Sequence, residues 1–452
     1  MTETSHGKET LEFGKQIFSE IDKSQPSAFN QNYWSGRIME WSMTQPEFKT
    51  NMFRLIDVLP ALKNSTAIAQ HVNEYLGKVG AHIHSLAEWG LNVKPHSVRA
   101  IFTALLVKKG VKQMASQFIA GALPQDAHRA LRRIRRSNMS FTVDLLGEYC
   151  LCEKEAEQYL KRYLDALENF GENVPRWKSA KPIIPGHPGE LSPVCISVKL
   201  TALYSQCGPL NFDRSVRVLT ERLTRIVRQA KKYNALIYID AEDTANNPII
   251  YETFRNVFGS EEFKDFPYPG IVIQAYARDS ETILYEMIDF AKSRGAPIAV
   301  RLVKGAYWDH ETIMSAQNNW PSPLFSVKES SDANFEKLSR IMIDNVQHCL
   351  PAFGSHNIRS LSHACCYAKQ KGLEKKDLEI QVLYGMAEPI ARAFMGQGYL
   401  VRFYVALGEM IPGMGYLVRR LLENTSNESF LRHTFFDESN VEQLLMEPRL
   451  QD

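Results

Sequence analysis

Tyr416, Arg419, Arg420 and Glu423 recur at i, i+3, i+4 and i+7. At 3.6 residues per turn they fall on one helical face, within an arc of roughly 100°, while Leu417, Val418, Leu421 and Leu422 take the other side. Two adjacent guanidinium groups are permanently charged and present planar forks of donors, so beside a phenol they suit a small carboxylate. The same pattern also reads as the solvated basic face of an amphipathic surface helix. Metal chemistry finds no support: His82 and His84 are too close for an i, i+4 ligand pair, and no His-Glu-x-x-His run occurs. Nor is there a Gly-x-Gly-x-x-Gly or Walker loop for a nucleotide.

Positioning such groups takes a large scaffold, and 452 residues allow two domains or one barrel with additions. With 53 Lys+Arg against 51 Asp+Glu, the chain lacks the basic excess that nucleic acid demands. No apolar run approaches the roughly 18 residues of a membrane span, and the first residues lack the apolar core of a secretory signal. A soluble protein is expected. Cys150, Cys152, Cys195, Cys207, Cys349, Cys365 and Cys366 are odd in number and form no Cys-x-x-Cys pair, which fits a reducing compartment.

Residues 1–138 read as helical, with apolar positions spaced by three and four and breaks at Pro26, Pro46, Pro60, Pro95 and Pro124. Arg129, Arg132, Arg133, Arg135 and Arg136 form a basic run, read as a solvated face or as a contact for an anionic membrane or another subunit. Beyond it, eight strand-like segments (141–146, 195–200, 236–240, 271–275, 298–303, 351–355, 379–383 and 401–405) alternate with helical ones. That rhythm predicts an α/β fold, a closed (β/α)8 TIM-like barrel preceded by an all-helical arm and a small helical domain. The Pro/Gly-rich stretch 171–193 is expected to be a surface excursion. Chemistry in such a barrel sits at the C-terminal strand ends. Those ends read Glu148, Lys199, Asp240, Gln274, Arg301 with Lys304, His356 with Asn357, and Tyr404. One such residue would suggest a structural ion pair; the recurrence suggests a site.

Two blocks, Arg301-Leu302-Val303-Lys304-Gly305-Ala306-Tyr307-Trp308 and the stretch from Tyr416 to Phe430, carry a more specific signal. With Ser197-Val198-Lys199, Ile239-Asp240-Ala241-Glu242, Val272-Ile273-Gln274-Ala275-Tyr276, Ser355-His356-Asn357 and Leu383-Tyr384-Gly385-Met386, they strongly resemble the proline dehydrogenase half of the proline utilization A family. The resemblance divides the chain into an arm (1–60), a small helical domain (61–136), a barrel with flavin and proline sites (137–435) and a tail (436–452). It implies FAD-dependent oxidation of L-proline to Δ1-pyrroline-5-carboxylate, with a membrane quinone as acceptor. It implies further that Arg419 and Arg420, aided by Lys199, hold the substrate carboxylate. Tyr404, Tyr416 and Leu383 would shape the slot for the ring, Asp240 would support Tyr404, and Glu148 would pair with Arg419 as a gate. For the cofactor it points to Asp240, Gln274, Arg301, Val303, Lys304, Gly305, Ala306, Tyr307, Trp308, Phe325, Ser326, His356, Asn357 and Glu423. Family threonines stand here as Ser326 and Ser355, which keep the hydroxyl. The aldehyde dehydrogenase half and the DNA-binding segment of bifunctional members are expected to be absent, and the expected location is the bacterial cytoplasm, peripheral at the inner membrane. A lysine-dependent aldolase using Lys199 or Lys304, and a flavin-carrying docking module without turnover, are the competing readings.

Overall fold

The computed structural model describes residues 2–23, 64–76, 116–147, 150–177, 192–267, 269–409 and 438–451, together with shorter pieces within 50–62 and 97–109. Eight parallel strands close into a barrel in sequence order: β1 (Ser140–Leu145), β2 (Cys195–Val198), β3 (Leu236–Ile239), β4 (Gly270–Gln274), β5 (Ile298–Val303), β6 (Cys349–Gly354), β7 (Glu379–Leu383) and β8 (Leu400–Leu407), with β8 pairing back onto β1. The described helices are α1 (Thr2–Lys23), α2 (Ser65–Leu76), α3 (Pro124–Arg136), α4 (Glu153–Asn173), α5 (Phe212–Lys232), α6 (Asn247–Phe258), α7 (Ser280–Arg294), α8 (Trp308–Gln317), α9 (Lys328–Asp344), α10 (Ile358–Gln370), α11 (Glu388–Gly396) and α12 (Glu438–Leu444).

Each strand divides its side chains by parity. Val143 and Leu145, Ile196 and Val198, Ile237 and Ile239, Ile271 and Ile273, Val300 and Leu302, Ile380 and Val382, and Val401, Phe403 and Val405 point outward into the main apolar core beneath the helices. α5 meets them with Val216, Leu219, Leu223, Ile226, Val227 and Ala230, a stripe at helical spacing that is wholly buried. Full burial of each such side chain is worth about 1.5–3 kcal/mol. The opposite parity carries Thr142, Asp144, Ser197, Tyr238, Arg301, Glu379, Gln381, Arg402 and Tyr404, all linked by register around the barrel. Most barrels of this type fill their interior with branched apolar residues; here an apolar layer of Cys195, Leu236, Ala299 and Leu350 is kept, and the layers beside it carry charge and hydrogen bonds.

α1 folds back onto α10, α11 and α12. It contributes Ile17, Phe18 and Ile21 to the main core, and Gly14 leaves room for Leu445, whose Cδ2 would lie 2.5 Å from an added Cβ. At the far end of the helix His6 Nε2 lies 3.1 Å from His363 Nδ1, which in turn lies 3.0 Å from Glu336 Oε2. Glu336 also accepts two bonds from Arg359, at 2.8 and 3.0 Å. Burial, reinforced by His363, Arg359 and Arg340 and opposed by Glu336, lowers His6 to about 4. Burial pushes the Glu336 carboxyl up, but His363 and Arg359 outweigh it and bring it to about 2. Both folded values lie below the unfolded ones, so the unfolded chain binds more protons and stability falls with pH. The His6 contribution is lost between about 6.5 and 4 and that of Glu336, roughly 3 kcal/mol, from 4.5 toward 2. The melting temperature is therefore expected to decline from pH 6.5 downward, with His6→Asn removing the upper part of the decline. A His6→Asn profile that matches the parent would show that this contact does not carry it.

Of the basic run in α3, Arg129, Arg132, Arg133 and Arg136 are exposed and Arg135 is buried. Burial, then Arg402, lowers Arg135 to about 10. Arg133 donates to the Tyr384 hydroxyl at 2.9 Å, and Arg132 lies 5.1 Å from the Trp177 ring, so part of the run is engaged within the fold.

Candidate active site

Lys199 and Asp240 immediately follow β2 and β3, which brings their side chains to the C-terminal mouth of the barrel. Arg301 and Tyr404 lie within β5 and β8, two and three residues before those strands end, because both strands run past the layer that bears these side chains. The four converge. The Tyr404 hydroxyl donates to Asp240 Oδ2 at 2.6 Å, while Asp240 Oδ1 accepts from Arg301 Nη1 at 2.8 Å and from the Ser197 hydroxyl at 3.0 Å. The Lys199 ammonium is ion-paired and hydrogen-bonded to Asp144, and lies 3.4 Å from the Tyr404 hydroxyl and 3.6 Å from Asp240 Oδ2. Asp144 is 1% exposed; burial raises its carboxyl, Lys199 opposes the rise and Asp240 adds to it, so its charge rests on the lysine and not on solvent.

Asp144 and Asp240 balance Lys199 and Arg301, two carboxylates against two cations. Burial works against charge on Lys199, yet Asp144, Tyr404 and Asp240 hold its pKa well above the ordinary lysine value. Tyr404 is raised by burial and then by Asp144 and Asp240, so the phenol keeps its proton and donates. Burial also opposes Arg301, whose pKa Asp240 and Tyr238 nevertheless raise. Its guanidinium lies 4.2 Å from the Tyr238 ring centre and 5.1 Å from that of Tyr404, and its Nε donates to Gln381 Oε1 at 2.6 Å. Its Nη2 is buried and has no acceptor among the described residues.

Around this cluster the mouth is built by separate contacts. Gln274, the last residue of β4, donates to the Glu242 carbonyl at 2.9 Å and accepts from Asn247 at 3.2 Å. Tyr276 donates to Glu311 at 2.5 Å. Gly305, at φ +128°, brings its backbone against the Tyr276 ring, where a Cβ would sit 2.4 Å from a ring carbon. Val303 and Lys304 present their carbonyls to the amides of Ala275 and Tyr276 at 2.8 Å. Lys304 pairs with Asp332. Burial lowers this lysine to about 8, against Asp332 and with Lys328 adding to the shift. Ala306 is exposed and Tyr307 half-buried; Trp308 Nε1 donates to the Phe325 carbonyl at 2.9 Å, which places Ser326 beside that contact in sequence. The His356 Nε2 accepts the Leu383 amide at 3.0 Å, which puts its ring proton on Nδ1. Asn357 caps α10 through Ser360 N–H at 3.0 Å. Glu148, Tyr416, Arg419, Arg420 and Glu423 lie outside the described residues.

Asp144, Gln381, Glu379 and Arg402 were not singled out from the sequence. The signal for Asp144 was present, a lone acid inside the apolar run 141–146, and the polar–apolar alternation of 379–383 marks an inward polar face. Among the described residues no group of three or more His, Cys, Asp or Glu could hold a metal ion, and no helix is long and apolar enough to cross a membrane.

A closed (β/α)8 barrel with a charge-balanced polar cluster at its mouth defines a class of small-molecule enzyme. The model of the proline dehydrogenase family matches residues 127–433 and that of the proline utilization A N-terminal domain residues 7–118; the chain belongs to the proline dehydrogenase family. It is 27% identical over 400 residues to the bifunctional protein PutA of Escherichia coli, a match covering 83% of this chain and 29% of that protein. Proline dehydrogenase 1 of Bacillus subtilis is 26% identical over 323 residues, covering 71% of this chain and 90% of the other. The chain thus spans under a third of the bifunctional relative's length. Among solved structures, that of proline utilization A from Bdellovibrio bacteriovorus inactivated by N-propargylglycine is 39% identical with a TM-score of 0.85, over 98% of this chain and 44% of that one. A Bradyrhizobium japonicum PutA structure, at 22% identity and a TM-score of 0.72 over 98% of this chain and 46% of that one, shares the fold.

Proposed function

We propose that the chain is a flavin-dependent L-proline dehydrogenase, which oxidises proline to Δ1-pyrroline-5-carboxylate in proline catabolism and passes the electrons to a membrane quinone. The observation that carries this reading is the buried Lys199–Asp144–Asp240–Tyr404–Arg301 cluster at the mouth of a barrel of this family, with one guanidinium nitrogen left without a partner among the described residues. That nitrogen suits FAD, because a buried cationic donor complements the electron-rich edge of a flavin. FAD would be held by Asp240, Gln274, Arg301, residues 303–308, Phe325, Ser326, His356, Asn357 and Glu423, and would supply the two-electron acceptor.

The chain's own residues bind and orient. The ionised groups of the cluster cancel, so a substrate carboxylate needs further positive charge, which the sequence supplies at Arg419 and Arg420. Lys199, hydrogen-bonded to Asp144 and Tyr404, has a third N–H with which to aid them. Tyr404 is held by Asp240; with Leu383 and Tyr416 it would shape the slot for the ring methylenes, and Glu148 with Arg419 would act as the gate that the family likeness implies. Substrate enters as the neutral amine. A hydride leaves the methylene carbon beside nitrogen, the nitrogen lone pair forms the C=N bond, and the N–H proton departs. The electron acceptor, a cytoplasmic location and contact with the inner membrane through the exposed arginines of α3 belong to the same proposal.

The test is the visible spectrum of the purified protein before and after anaerobic L-proline. Bleaching of a yellow protein is expected. A folded, colourless protein that takes up no added FAD overturns the reading; a yellow one that proline leaves unchanged favours a docking role, and borohydride trapping of a carbonyl substrate would favour an aldolase.

A further inference from the structure

Below the mouth the barrel holds polar groups to which the proposed reaction gives no task. Arg402 in β8 grips Glu379 in β7 with two parallel bonds, Nε to Oε1 at 2.7 Å and Nη2 to Oε2 at 2.8 Å, and its Nη1 donates to the Phe141 carbonyl at 3.0 Å. Gln381 is next along the inward face of β7. Its Nε2 donates to Glu379 Oε1 at 2.5 Å, and its Oε1 accepts from Arg301 Nε at 2.6 Å. Arg402, Glu379, Gln381 and Arg301 are each 4% exposed or less, so water does not substitute for these bonds.

The chemistry gives the chain a direction. An ionised carboxylate only accepts, so Glu379 draws the amide nitrogen of Gln381 to itself and turns the amide oxygen toward Arg301. Arg402, permanently charged, keeps Glu379 ionised. Arg301 then has its Nε held by Gln381, its Nη1 held by Asp240 and Ser197, and its plane laid over Tyr238. Nη2, which has no partner among the described residues, is left pointing one way.

We infer that Glu379 and Gln381 are positioning residues: the Arg402–Glu379–Gln381 chain sets the orientation of Arg301 so that Nη2 is presented to an electron-rich heteroaromatic ring edge bound across the barrel mouth. This rests on the flavin reading above. The role differs from structural support because it acts on the electronic properties of the ligand, through the alignment of one N–H donor.

The experiment compares the FAD-loaded parent with Gln381→Met, Gln381→Glu and Arg301→Lys, reading the midpoint potential of the bound flavin and the affinity for FAD. Gln381→Met removes both bonds at nearly constant volume. It is expected to lower the stabilisation of the reduced over the oxidised flavin about tenfold, a shift of about 30 mV to more negative potential for a two-electron couple. Gln381→Glu is near-isosteric; Glu379 pushes the new carboxyl up while Arg301 and Arg402 pull it down, and in its protonated form it offers one donor and one acceptor as the amide does. Its potential is expected to approach the parent's at low pH and to depart from it as pH rises. A parental potential and affinity in Gln381→Met, or equal shifts in both Gln381 variants at every pH, overturn the inference. If Arg301→Lys alters the potential while Gln381→Met does not, only the positioning role fails. If Arg301→Lys also leaves potential and affinity unchanged, the placement of Arg301 at the flavin fails.

Discussion

Asp144→Ala is expected to destabilise the protein by about 3–5 kcal/mol, the scale for removing one partner of a buried ion pair. The reason lies in what stays behind. Lys199 is 7% exposed and Asp144 is its hydrogen-bonded counter-ion, while Asp240, at 3.6 Å, already neutralises Arg301. Alanine at 144 therefore leaves a buried ammonium with half a partner. Removing both charges with Asp144→Leu and Lys199→Met should recover most of the loss, because apolar side chains of similar volume often replace a buried pair without penalty. Urea unfolding of the two single variants and the double gives the coupling energy. Asp144→Ala within about 1 kcal/mol of the parent, a cost more typical of a surface pair, would mean that the pair is solvated in solution.

That prediction turns on a residue the sequence did not single out, and the reason is instructive. Seven of the eight strands are legible because their outward positions are mostly Ile, Val, Leu and Phe at period two, whereas β6, with Cys349, Pro351 and Phe353 at those positions, carries a weaker signal and begins two residues before the expected segment. Lys199, Asp240, Gln274 and His356 stand out for a similarly local reason: polar residues that close apolar runs. Asp144 instead sits inside such a run, and its partner is 55 positions away. Only the parallel pairing of β1 with β2, which sets Asp144 opposite Ser197, turns a lone acid into half of an ion pair. Glu379, Gln381 and Arg402 are hidden in the same way, since strand polarity shows a face but not what it meets. The reading of Arg301 and Tyr404 as strand-end residues reflects strand length rather than direction, for both point inward as a site requires. The assignments at Glu148, from its strand-end position, and at Tyr416, Arg419, Arg420 and Glu423, from helical spacing, were sharpened by family likeness and lie outside the described residues.

Asp240→Asn is expected to lower kcat/KM for proline by about 10²–10³, equivalent to about 2.7–4 kcal/mol of transition-state stabilisation. The carboxylate joins three functional side chains, with Oδ1 serving Arg301 and Ser197 and Oδ2 serving Tyr404. Asparagine can keep its oxygen toward Arg301, but it then turns an N–H₂ group toward a tyrosine hydroxyl that donates at that position. Tyr404 loses its acceptor, and Lys199 and Arg301 lose one of the two carboxylates that balance them. Tyr404→Phe gives the comparison: it removes the hydroxyl's bond to Asp240, worth roughly 1.5–3 kcal/mol, together with the longer one from Lys199, and leaves the Arg301–Asp240 pair in place. The added positive charge in Asp240→Asn should not weaken binding of a substrate carboxylate, so the loss is expected in kcat with KM unchanged or lower. Steady-state kinetics with proline and a soluble dye acceptor separate the cases, with bound flavin measured on the same samples. A loss confined to KM would assign Asp240 to direct contact with the substrate, and a loss no larger than that of Tyr404→Phe would confine its role to holding that one phenol.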